Sequence, residues 1–252
     1  MIDLSGQHVF VGGGGRGIGA ATARMAGLAG ADISVNYRAD ADSANSVVRD
    51  ICDSGRRAVA VQADLSTNDG AERAVLEASA QFGPVTGVVV SAGIFEGCFL
   101  NEMTPEFWDR TMSANLRSTF LLVQASVRSM REAKKGGSIV IYTSTAGQRG
   151  SSEYSAYATS KAGQIMFMRS MAKELAVDNI RVNCIAPAWT LTDMSRPSIE
   201  TIGEETVASQ FPLGRIGLPE DVAGPTIFLL SKLASFVTGS TITVDGGMDM
   251  RG

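Results

Sequence analysis

The chain contains 252 residues, of which 44% are hydrophobic and 19% are charged, a balance typical of a globular protein with one large domain or two small ones. Its formal net charge of −4 argues against nucleic acid or an anionic membrane as a partner, because both repel an acidic chain. With a single histidine in the chain, a Ser-His-Asp triad, a Cys-His pair or a histidine-rich metal site is hard to build, so no metal is expected.

The cysteines and the N-terminal residues bear on cellular location. The three cysteines are far apart and form neither a CxxC motif nor a zinc spacing, which favours reduced thiols in a cytoplasmic protein. The first residues lack a basic stretch followed by an apolar one, so no signal peptide is expected. No apolar run approaches the ~18 residues that a membrane span requires.

Short apolar, β-branched segments alternate with longer amphipathic segments along the chain. The short segments predict strands at 8–12, 32–37, 57–63, 86–92, 138–144, 180–187 and 241–247. The amphipathic segments predict helices at 17–29, 42–54, 68–82, 104–133, 154–177 and 219–231. Strands separated by helices indicate βαβ units, and strands that are apolar throughout indicate a sheet covered on both faces.

One domain over residues 1–252 is the simplest organisation, because the sequence contains no repeat, low-complexity tract or linker. The prediction is a single doubly wound α/β domain, with a parallel sheet of about seven strands and helices on both faces. The segment 190–217 has the weakest periodicity and holds Pro197, Gly203, Pro212 and Gly214. It is expected to form a mobile substrate flap, since ligand lids are drawn from loosely packed segments.

A glycine-rich turn, within VGGGGRGIGAATARMAGLAG (11–30), follows the first predicted strand and opens the first predicted helix. Glycines let the backbone approach a ligand closely, and the amides at a helix N-terminus attract phosphate. The glycines fit two registers, GxGxxG on Gly12, Gly14 and Gly17, or GxxxGxG on Gly13, Gly17 and Gly19. This strand-turn-helix context predicts a Rossmann domain that binds a dinucleotide, the alternative being a flexible turn.

The end of the second strand bears on which dinucleotide is bound. NAD-binding folds usually place an acidic residue there for the ribose 2′-hydroxyl, whereas this strand ends in Tyr37 and Arg38, with no carboxylate before Asp40. A guanidinium suits a 2′-phosphate, and Arg16 in the glycine turn is a second candidate to contact it. NADP(H) is therefore favoured over NAD(H), which stays open. The alternative is that Arg38 is a solvated residue at the start of the next helix.

The segment YATSK (157–161) places a tyrosine and a lysine four residues apart, so that both lie on one helix face. An isolated tyrosine has a pKa of about 10 and is a poor acid or base near neutrality. A nearby ammonium, together with the positive nicotinamide of an oxidised cofactor, favours the phenolate and lowers that pKa. Tyr157 can then exchange a proton with a carbonyl or an alcohol. A YxxxK pair alone also occurs by chance on exposed helices.

From GGGGRGIG to the closing VDGGM, the chain resembles the short-chain dehydrogenase/reductase family over essentially its whole length, including 3-oxoacyl-[acyl-carrier-protein] reductase-like and glucose dehydrogenase-like members. The resemblance implies that Tyr157 is the catalytic acid/base and that Lys161 binds the nicotinamide ribose and lowers the tyrosine pKa. It implies that Ser144 hydrogen-bonds the substrate oxygen and that Asn115 holds a water that relays protons from the lysine. The cofactor contacts it implies are Gly13, Gly15, Arg16, Gly17, Ile18, Gly19, Arg38, Asp64, Leu65, Ser91, Ala92, Gly93, Tyr157, Lys161, Pro187, Thr190 and Thr192.

Structural roles for the same residues stay open. Ser144 also suits a helix cap, Asn115 a buried structural amide, and Thr192 a cap within the flap. The chain also departs from the family pattern at four positions, with Val90 and Ser91 for two asparagines, Gly12 for threonine and Ala188 for glycine. None of these changes removes a member of the implied tetrad.

Substrate and partners are less constrained. The residues expected to line the substrate pocket are Phe95, Glu96, Gln148, Tyr154, Trp189 and the flap residues 193–211. A 3-oxoacyl group, a small ketone, a secondary alcohol and a sugar-like polyol all stay open as substrates. An acyl carrier protein is not favoured, because Asp178 stands where carrier-specific members tend to be basic, although Arg128, Lys134 and Lys135 are available to dock an acidic partner.

Two broader expectations concern assembly and turnover. The family resemblance implies a homotetramer or dimer that packs helices 104–133 and 154–177 against a second copy. A nucleotide-binding redox sensor or scaffold without turnover is the alternative to an enzyme. The complete set of Asn115, Ser144, Tyr157 and Lys161 favours an oxidoreductase that transfers a hydride.

Overall fold

Seven parallel strands form one sheet in the computed structural model, which describes residues 2–250. The strands are β1 (His8–Gly12), β2 (Asp32–Tyr37), β3 (Ala58–Gln62), β4 (Gly87–Val90), β5 (Gly137–Tyr142), β6 (Ile180–Pro187) and β7 (Thr241–Val244). Their order across the sheet is β3-β2-β1-β4-β5-β6-β7. The predicted doubly wound parallel sheet is confirmed. Its strand order reverses direction between β1 and β4, and ligands of such sheets bind outside the strand carboxyl ends at this point.

Helices connect successive strands. They are α1 (Gly17–Leu28), α2 (Ala41–Asp53), α3 (Asn68–Phe82), α4 (Pro105–Met112), α5 (Ser118–Glu132), α6 (Thr145–Arg149), α7 (Ser155–Glu174), α8 (Arg196–Ile202), α9 (Glu204–Ala208) and α10 (Pro219–Leu230). The helix predicted over 104–133 is α4 and α5 joined by a π-helical turn at Ser113–Arg117. The π-turn was not predicted, because its i to i+5 bonding leaves the apolar periodicity of the flanking helices almost unchanged.

The sheet is covered on both faces. Phe10 packs with α3, α5 and α7 in one core cluster, whereas its neighbours Val9 and Val11 pack with α1, α2 and α10 in the other. This alternation follows from side chains that point to opposite faces along a strand. The central strands are buried throughout, as their apolar sequences predict, but the edge strand β7 is only half-buried.

The segment 190–217 contains α8 and α9, which carry a small core of their own. Ile199, Val207, Phe211 and Ile216 pack together there, apart from the two clusters on the sheet. The predicted flap is thus a helical segment held by a minor core, and its mobility stays a prediction. In residues 2–250, no helix combines the length and apolarity of a membrane span.

Side-chain caps fix where several helices begin. The Asp40 carboxylate accepts a bond from the third residue of α2, and the Thr67 and Thr104 hydroxyls do the same for α3 and α4. Such caps satisfy amides that have no partner within the helix. By contrast, Arg16, the N-cap residue of α1, makes no side-chain cap bond, and the first turn of α1 has no acidic residue. Its first amides are therefore free to bind another acceptor.

The hydroxyl of Tyr142, at the end of β5, connects the sheet to two helices. It lies 2.6 Å from Thr22 Oγ1 on α1 and 2.8 Å from Thr226 Oγ1 on α10. Burial raises the pKa of Tyr142 to about 12, so the phenol stays a neutral hydrogen-bonding group.

Replacing the buried hydroxyl tests this connection. We expect Tyr142→Phe to lower the free energy of unfolding by about 1 kcal/mol, because both threonine hydroxyls keep a main-chain acceptor in their own helix. Urea unfolding of parent and variant measures the difference. An equal or higher stability of the variant would show that the two hydrogen bonds contribute nothing net.

Candidate active site

A cleft of 820 Å³ runs along the carboxyl ends of the central strands. The wall of this cleft contains all but two of the residues that the sequence assigned to cofactor binding or catalysis. They are Gly13, Gly15, Arg16, Gly17, Ile18, Arg38, Asp64, Leu65, Ser91, Ala92, Gly93, Ser144, Tyr157, Lys161, Pro187, Thr190 and Thr192. Asn115 and Gly19 lie outside the wall.

The conformation of the glycine turn distinguishes the two possible registers. Gly13 and Gly17 have positive φ angles of 74° and 54°, whereas Gly12 and Gly14 do not. A Cβ on Gly19 would lie 2.2 Å from the carbonyl oxygen of Gly13. The backbone therefore needs glycine at the three positions of the GxxxGxG register.

Gly19 is not part of the cleft wall, and its expected cofactor contact stays a prediction. Its missing side chain lets the first turn of α1 pack directly on the Gly13 carbonyl. Gly19 thus shapes the turn without lining the space in which a cofactor would lie.

Asn36, in the middle of β2, holds the glycine turn in place. Its Oδ1 accepts from the Gly13 amide at 3.2 Å, and its main-chain carbonyl accepts from the Gly14 amide at 2.9 Å. The Asn36 side-chain amide donates to the carbonyls of Val61 and Ala63, both at 3.2 Å. Sequence analysis missed this residue, although an amide inside an otherwise apolar strand is a signal that buried polar partners exist.

Two arginines line the far end of the cleft, together with two carboxylates that already accept hydrogen bonds from serines. Arg16 and Arg38 are both exposed there. Asp40 accepts from the Ser43 amide and hydroxyl, and these bonds lower the pKa of its carboxyl, with a smaller contribution from Arg16. Asp64 accepts from the amide and hydroxyl of Ser66, which lower the pKa of Asp64 in the same way, with Arg38 contributing less.

Tyr157 and Lys161 lie one turn apart on α7 and both line the cleft. Lys161 Nζ lies 5.7 Å from the centroid of the Tyr157 ring and donates to the main-chain carbonyl of Tyr142 at 2.9 Å. The Thr143 hydroxyl donates to the Lys161 carbonyl at 2.8 Å, which fixes this turn of α7 against the end of β5. The pair and the glycine turn therefore share one cleft.

The pKa of Tyr157 in the chain by itself is set by burial. Burial raises the pKa of the Tyr157 phenol to about 12, and a side-chain hydrogen bond with Ser144 opposes this only in part. Burial also lowers the pKa of Lys161 to about 8. The expected lowering of the tyrosine pKa also counted on the positive charge of an oxidised nicotinamide, so it stays a prediction for the protein with bound cofactor.

Ser144 has the helix-cap role considered for it, while its bond to a substrate oxygen stays a prediction. It follows β5, lines the cleft and interacts with the Tyr157 phenol. Its Oγ also accepts from the Ala146 amide at 3.1 Å and so caps the short helix α6. The cap fixes the side-chain rotamer next to the phenol.

Asn115 lies behind the cleft wall, fully buried in the π-turn between α4 and α5. Its Oδ1 accepts from the Ile94 amide at 2.7 Å, and its Nδ2 donates to the Ile94 carbonyl at 3.1 Å and to Ser160 Oγ at 3.0 Å. The Ser160 hydroxyl in turn donates to the Tyr157 carbonyl at 2.7 Å. Asn115 thus braces the loop after β4 against the α7 turn that carries Tyr157.

An aromatic cluster adjoins Tyr157 at the other end of the cleft. The Phe95 ring stacks on Tyr154 at a centroid distance of 4.5 Å. It also meets Tyr157 at 5.0 Å and Trp189 at 5.7 Å, both edge to face. The nearby Glu96 carboxylate forms an ion pair with Arg110.

Gln148, which was expected in the substrate pocket, does not line the cleft, whereas Thr192 does. The cofactor contact expected of Thr192 stays a prediction. The Gln148 amide donates to Thr243 Oγ1 at 3.1 Å, and the side chain is not part of the cleft wall, because α6 turns it towards β7. Thr192 Cγ2 would lie 3.3 Å from a Cβ on Gly17. The start of the segment 190–217 therefore lies directly over the glycine turn.

The only histidine in the described residues lies away from this chemistry. His8 begins β1, at the opposite end of that strand from the glycine turn, where its ring contacts the Gly83 carbonyl at 2.7 Å and Ser34 Oγ at 2.9 Å. Burial lowers the pKa of His8 and favours the neutral ring. His8 is therefore not part of the cleft wall.

Comparison with known proteins agrees with this geometry. A family model described as enoyl-(acyl carrier protein) reductase matches residues 13–249. An L-rhamnose 1-dehydrogenase (NAD(P)(+)) of a Sphingomonas species is 37% identical over 97% of both chains. A 3-oxoacyl-[acyl-carrier-protein] reductase of a Synechocystis species is 36% identical over 99% of this chain and 100% of its own.

Among solved structures, a short-chain type dehydrogenase/reductase from Mycobacterium marinum superposes with a TM-score of 0.94 and 31% identity, covering 99% of this chain and 98% of that one. Sequence and structural similarity over nearly the whole length agree with the shared cleft of glycine turn, tyrosine and lysine. The chain belongs to the short-chain dehydrogenase/reductase family, whose members are NAD(P)-dependent oxidoreductases acting on CH–OH and carbonyl groups.

Proposed function

We propose that the protein is an NADP(H)-dependent oxidoreductase that transfers a hydride between nicotinamide and a carbonyl or secondary alcohol, with Tyr157 as the acid/base. One observation carries the proposal: Tyr157, Lys161 and Ser144 line the same cleft as the glycine turn and the uncapped N-terminus of α1. A nicotinamide dinucleotide supplies or accepts the hydride in this chemistry. The residues of the cleft fit the phosphates of such a dinucleotide, because the free amides of α1 and two arginines line one end of the cleft.

Each polar residue near the aromatic cluster has a distinct task. The Tyr157 phenol donates a proton to a carbonyl oxygen during reduction and takes one from an alcohol during oxidation. The Ser144 hydroxyl orients the substrate oxygen towards the phenol. The buried ammonium of Lys161 stabilises the phenolate after proton transfer. Because burial favours the neutral phenol, the site is ready for reduction of a carbonyl without a prior proton loss.

The preference for NADP(H) rests on charges near the end of β2. Arg16 and Arg38 are exposed in the cleft wall, while hydrogen bonds from serines already occupy the carboxylates of Asp40 and Asp64. A 2′-phosphate would meet two guanidinium groups there, and guanidinium binds phosphate through paired hydrogen bonds. This arrangement supports NADP(H) as the favoured cofactor, with NAD(H) accepted more weakly.

The substrate end of the cleft supports a neutral ketone or secondary alcohol with an apolar flank. Phe95, Tyr154 and Trp189 contribute aromatic surface, and Met194 is half-exposed beside them. The Glu96 carboxylate is already paired with Arg110, so these two charges neutralise each other. A 3-oxoacyl chain and a sugar-like polyol, the substrates that the names of the two relatives suggest, are the alternatives.

Docking of an acyl carrier protein is not favoured. The Arg128 guanidinium, one of the basic groups available for it, is paired with Glu72, and Asp178 is paired with Arg131. An acidic partner would have to compete with both exposed ion pairs. The free substrate, detached from a carrier, is therefore the proposed form.

Self-association through α5 and α7 is the proposed assembly, as a homotetramer or a dimer. Phe120 on α5 is 42% exposed and Met166 on α7 is 59% exposed, and Phe120 meets Phe167 edge to face at 6.3 Å. Apolar side chains on the outer sides of two adjacent helices support a contact with a second copy. A cytoplasmic location stays a prediction from the cysteine pattern.

Removing the Tyr157 hydroxyl tests the proposed acid. We expect Tyr157→Phe to lower the rate of NADPH oxidation with a panel of ketones at least ~100-fold, since general acids contribute about that much or more. NADPH binding, followed by nucleotide fluorescence, should stay unchanged. The matched control is Tyr154→Phe, which keeps the ring that stacks on Phe95 and should retain most of the rate.

Two outcomes would contradict the proposed function. A Tyr157→Phe enzyme as fast as the parent would mean that another group supplies the proton. NADPH binding by the parent without reduction of any ketone by NADPH or oxidation of any alcohol by NADP+ would favour the nucleotide-binding protein without turnover.

Replacing Arg38 tests the cofactor preference. We expect Arg38→Ala to raise KM for NADPH about 10-fold or more and to leave KM for NADH within about twofold, because only NADPH carries the 2′-phosphate. Steady-state kinetics with both cofactors gives the ratio. Arg24→Ala is the control, since Arg24 is paired with Asp50 outside the cleft wall. Equal effects of Arg38→Ala on both cofactors would contradict the preference.

Lys161 offers a test that uses stability and not activity. Its pKa is lowered from 10.5 to about 8, so below about pH 8 the buried ammonium costs the folded state about 3 kcal/mol. Between about 8 and 10.5 the folded protein loses this proton while the unfolded chain keeps it, so the stability of the parent rises with pH. We expect Lys161→Met to be about 1–2 kcal/mol more stable than the parent near neutral pH, after loss of the bond to the Tyr142 carbonyl.

Urea unfolding of the parent and Lys161→Met, near pH 7 and again near pH 9.5, measures this difference. The advantage of the variant should shrink at the higher pH, while its turnover is lost at both. An advantage that grows with pH would mean that Lys161 is not held with a lowered pKa.

A further inference from the structure

The side chain of Asn36 joins two separate parts of the cleft wall. Asn36 belongs to β2, which lies between β1 and β3 in the sheet, and it is 2% exposed. On one side its Oδ1 accepts from the Gly13 amide at 3.2 Å, and on the other its Nδ2 donates to the Ala63 carbonyl at 3.2 Å. Gly13, Asn36 and Ala63 all line the cleft. One buried side chain therefore connects the turn after β1 to the segment after β3.

These two parts of the wall would bind different groups of the proposed cofactor. The glycine turn leads into the uncapped N-terminus of α1, which suits phosphate. The segment after β3 belongs to the arginine end of the cleft, because Gln62 Nε2 donates to the Arg38 carbonyl at 3.3 Å and Asp64 lines the cleft there. A 2′-phosphate and its adenosine would lie at that end.

An amide is the side chain that satisfies both parts at once. The Gly13 amide needs an acceptor, whereas the carbonyls of Val61 and Ala63, both at 3.2 Å, need two donors. Asparagine offers one oxygen and two N–H groups in a short, planar side chain. An aspartate of the same shape lacks the donors, and a leucine lacks both kinds of group.

Each part of the wall also has a main-chain bond that does not depend on this side chain. The Gly14 amide donates to the Asn36 carbonyl at 2.9 Å, and the Ala63 amide donates to the Tyr37 carbonyl at 2.9 Å. Replacing the side chain therefore leaves the turn bonded to β2 and β3 paired with β2. What is lost is the direct link between the turn and the segment after β3.

We infer that Asn36 is a positioning residue for the cofactor: it fixes the spacing between the glycine turn and the segment that begins at Ala63, so that both ends of one dinucleotide fit the cleft together. The inference rests on the proposed binding of NADP(H). A site already held in its binding geometry avoids the cost of ordering when the ligand binds. Ligands that span both parts of the wall therefore depend on Asn36, whereas a ligand that occupies one part does not.

Asn36→Leu tests the inference by calorimetry with three probes. NADPH and adenosine 2′,5′-bisphosphate extend from the arginine end to the glycine turn, whereas adenosine 2′-monophosphate stays at the arginine end. We expect the dissociation constants of the first two to rise about 10-fold and that of the third to stay within about twofold. With the ketone that the parent reduces fastest, KM for NADPH should rise, while kcat at saturating NADPH stays within about twofold.

The matched control is Asn183→Leu. Asn183 is a buried asparagine on β6 that accepts from the Ser240 amide at 3.1 Å and donates to the Val237 carbonyl at 2.9 Å, and all three residues lie outside the cleft wall. Both variants should unfold at a lower urea concentration, because each leaves main-chain groups without their partner. Only Asn36→Leu should weaken the two longer probes. If Asn36→Leu does not fold, Asn36→Ser replaces it with the same expectations, because the shorter hydroxyl cannot span the two sides.

Four outcomes decide against the inference. Unchanged affinity of the Asn36 variant for NADPH would remove it and leave the proposed function intact. Equal weakening of all three probes would indicate a residue that only stabilises the fold, and so would the same weakening in Asn183→Leu. A parent protein that binds none of the three probes would contradict the proposed function, and the inference would fail with it.

Discussion

The buried ammonium of Lys161, in the wall of the cleft, is the constraint on which the surrounding structure depends. Lys161 is 6% exposed, and its pKa is lowered to about 8 because the charged form has lost most of its water. The main-chain carbonyl of Tyr142 replaces part of that hydration at 2.9 Å. Since the carbonyl belongs to the last residue of β5, the charge is held by the sheet itself, and the sheet is the most rigid element available.

The same loss of water shifts the pKa of Tyr157 in the opposite direction. Burial penalises the charged form of each group, so it raises the pKa of the phenol to about 12 while it lowers the pKa of the ammonium. The folded chain by itself therefore favours a neutral tyrosine. Two hydroxyls hold the tyrosine in place without adding a charge: Ser144 interacts with its phenol, and Ser160 donates to its main-chain carbonyl.

Periodicity and spacing were sufficient to predict the sheet, the crevice at the strand ends and six helical segments, one of which is α4 and α5 together. These features follow from local patterns: apolar runs, amphipathic segments and glycines that only one backbone conformation explains. The π-turn and Asn36 escaped prediction because their importance lies in partners that are distant in sequence, such as Ala63 for Asn36 and Ile94 for Asn115 in the π-turn. Two of the residues assigned by resemblance, Gly19 and Asn115, belong to the support behind the cleft wall.

The pKa of Tyr157 shows what a sequence argument leaves out, because such an argument names the charges and not their environment. A lysine four residues away lowers the pKa of a tyrosine only if the Coulomb attraction exceeds the loss of hydration, and burial can be judged only once α7 is packed against β6 and Lys161 is bonded to the end of β5. In the chain by itself hydration loss dominates. In the proposed reaction a phenolate at Tyr157 would therefore depend on the ammonium of Lys161 together with the positive charge of an oxidised nicotinamide, the two charges on which the sequence argument relied.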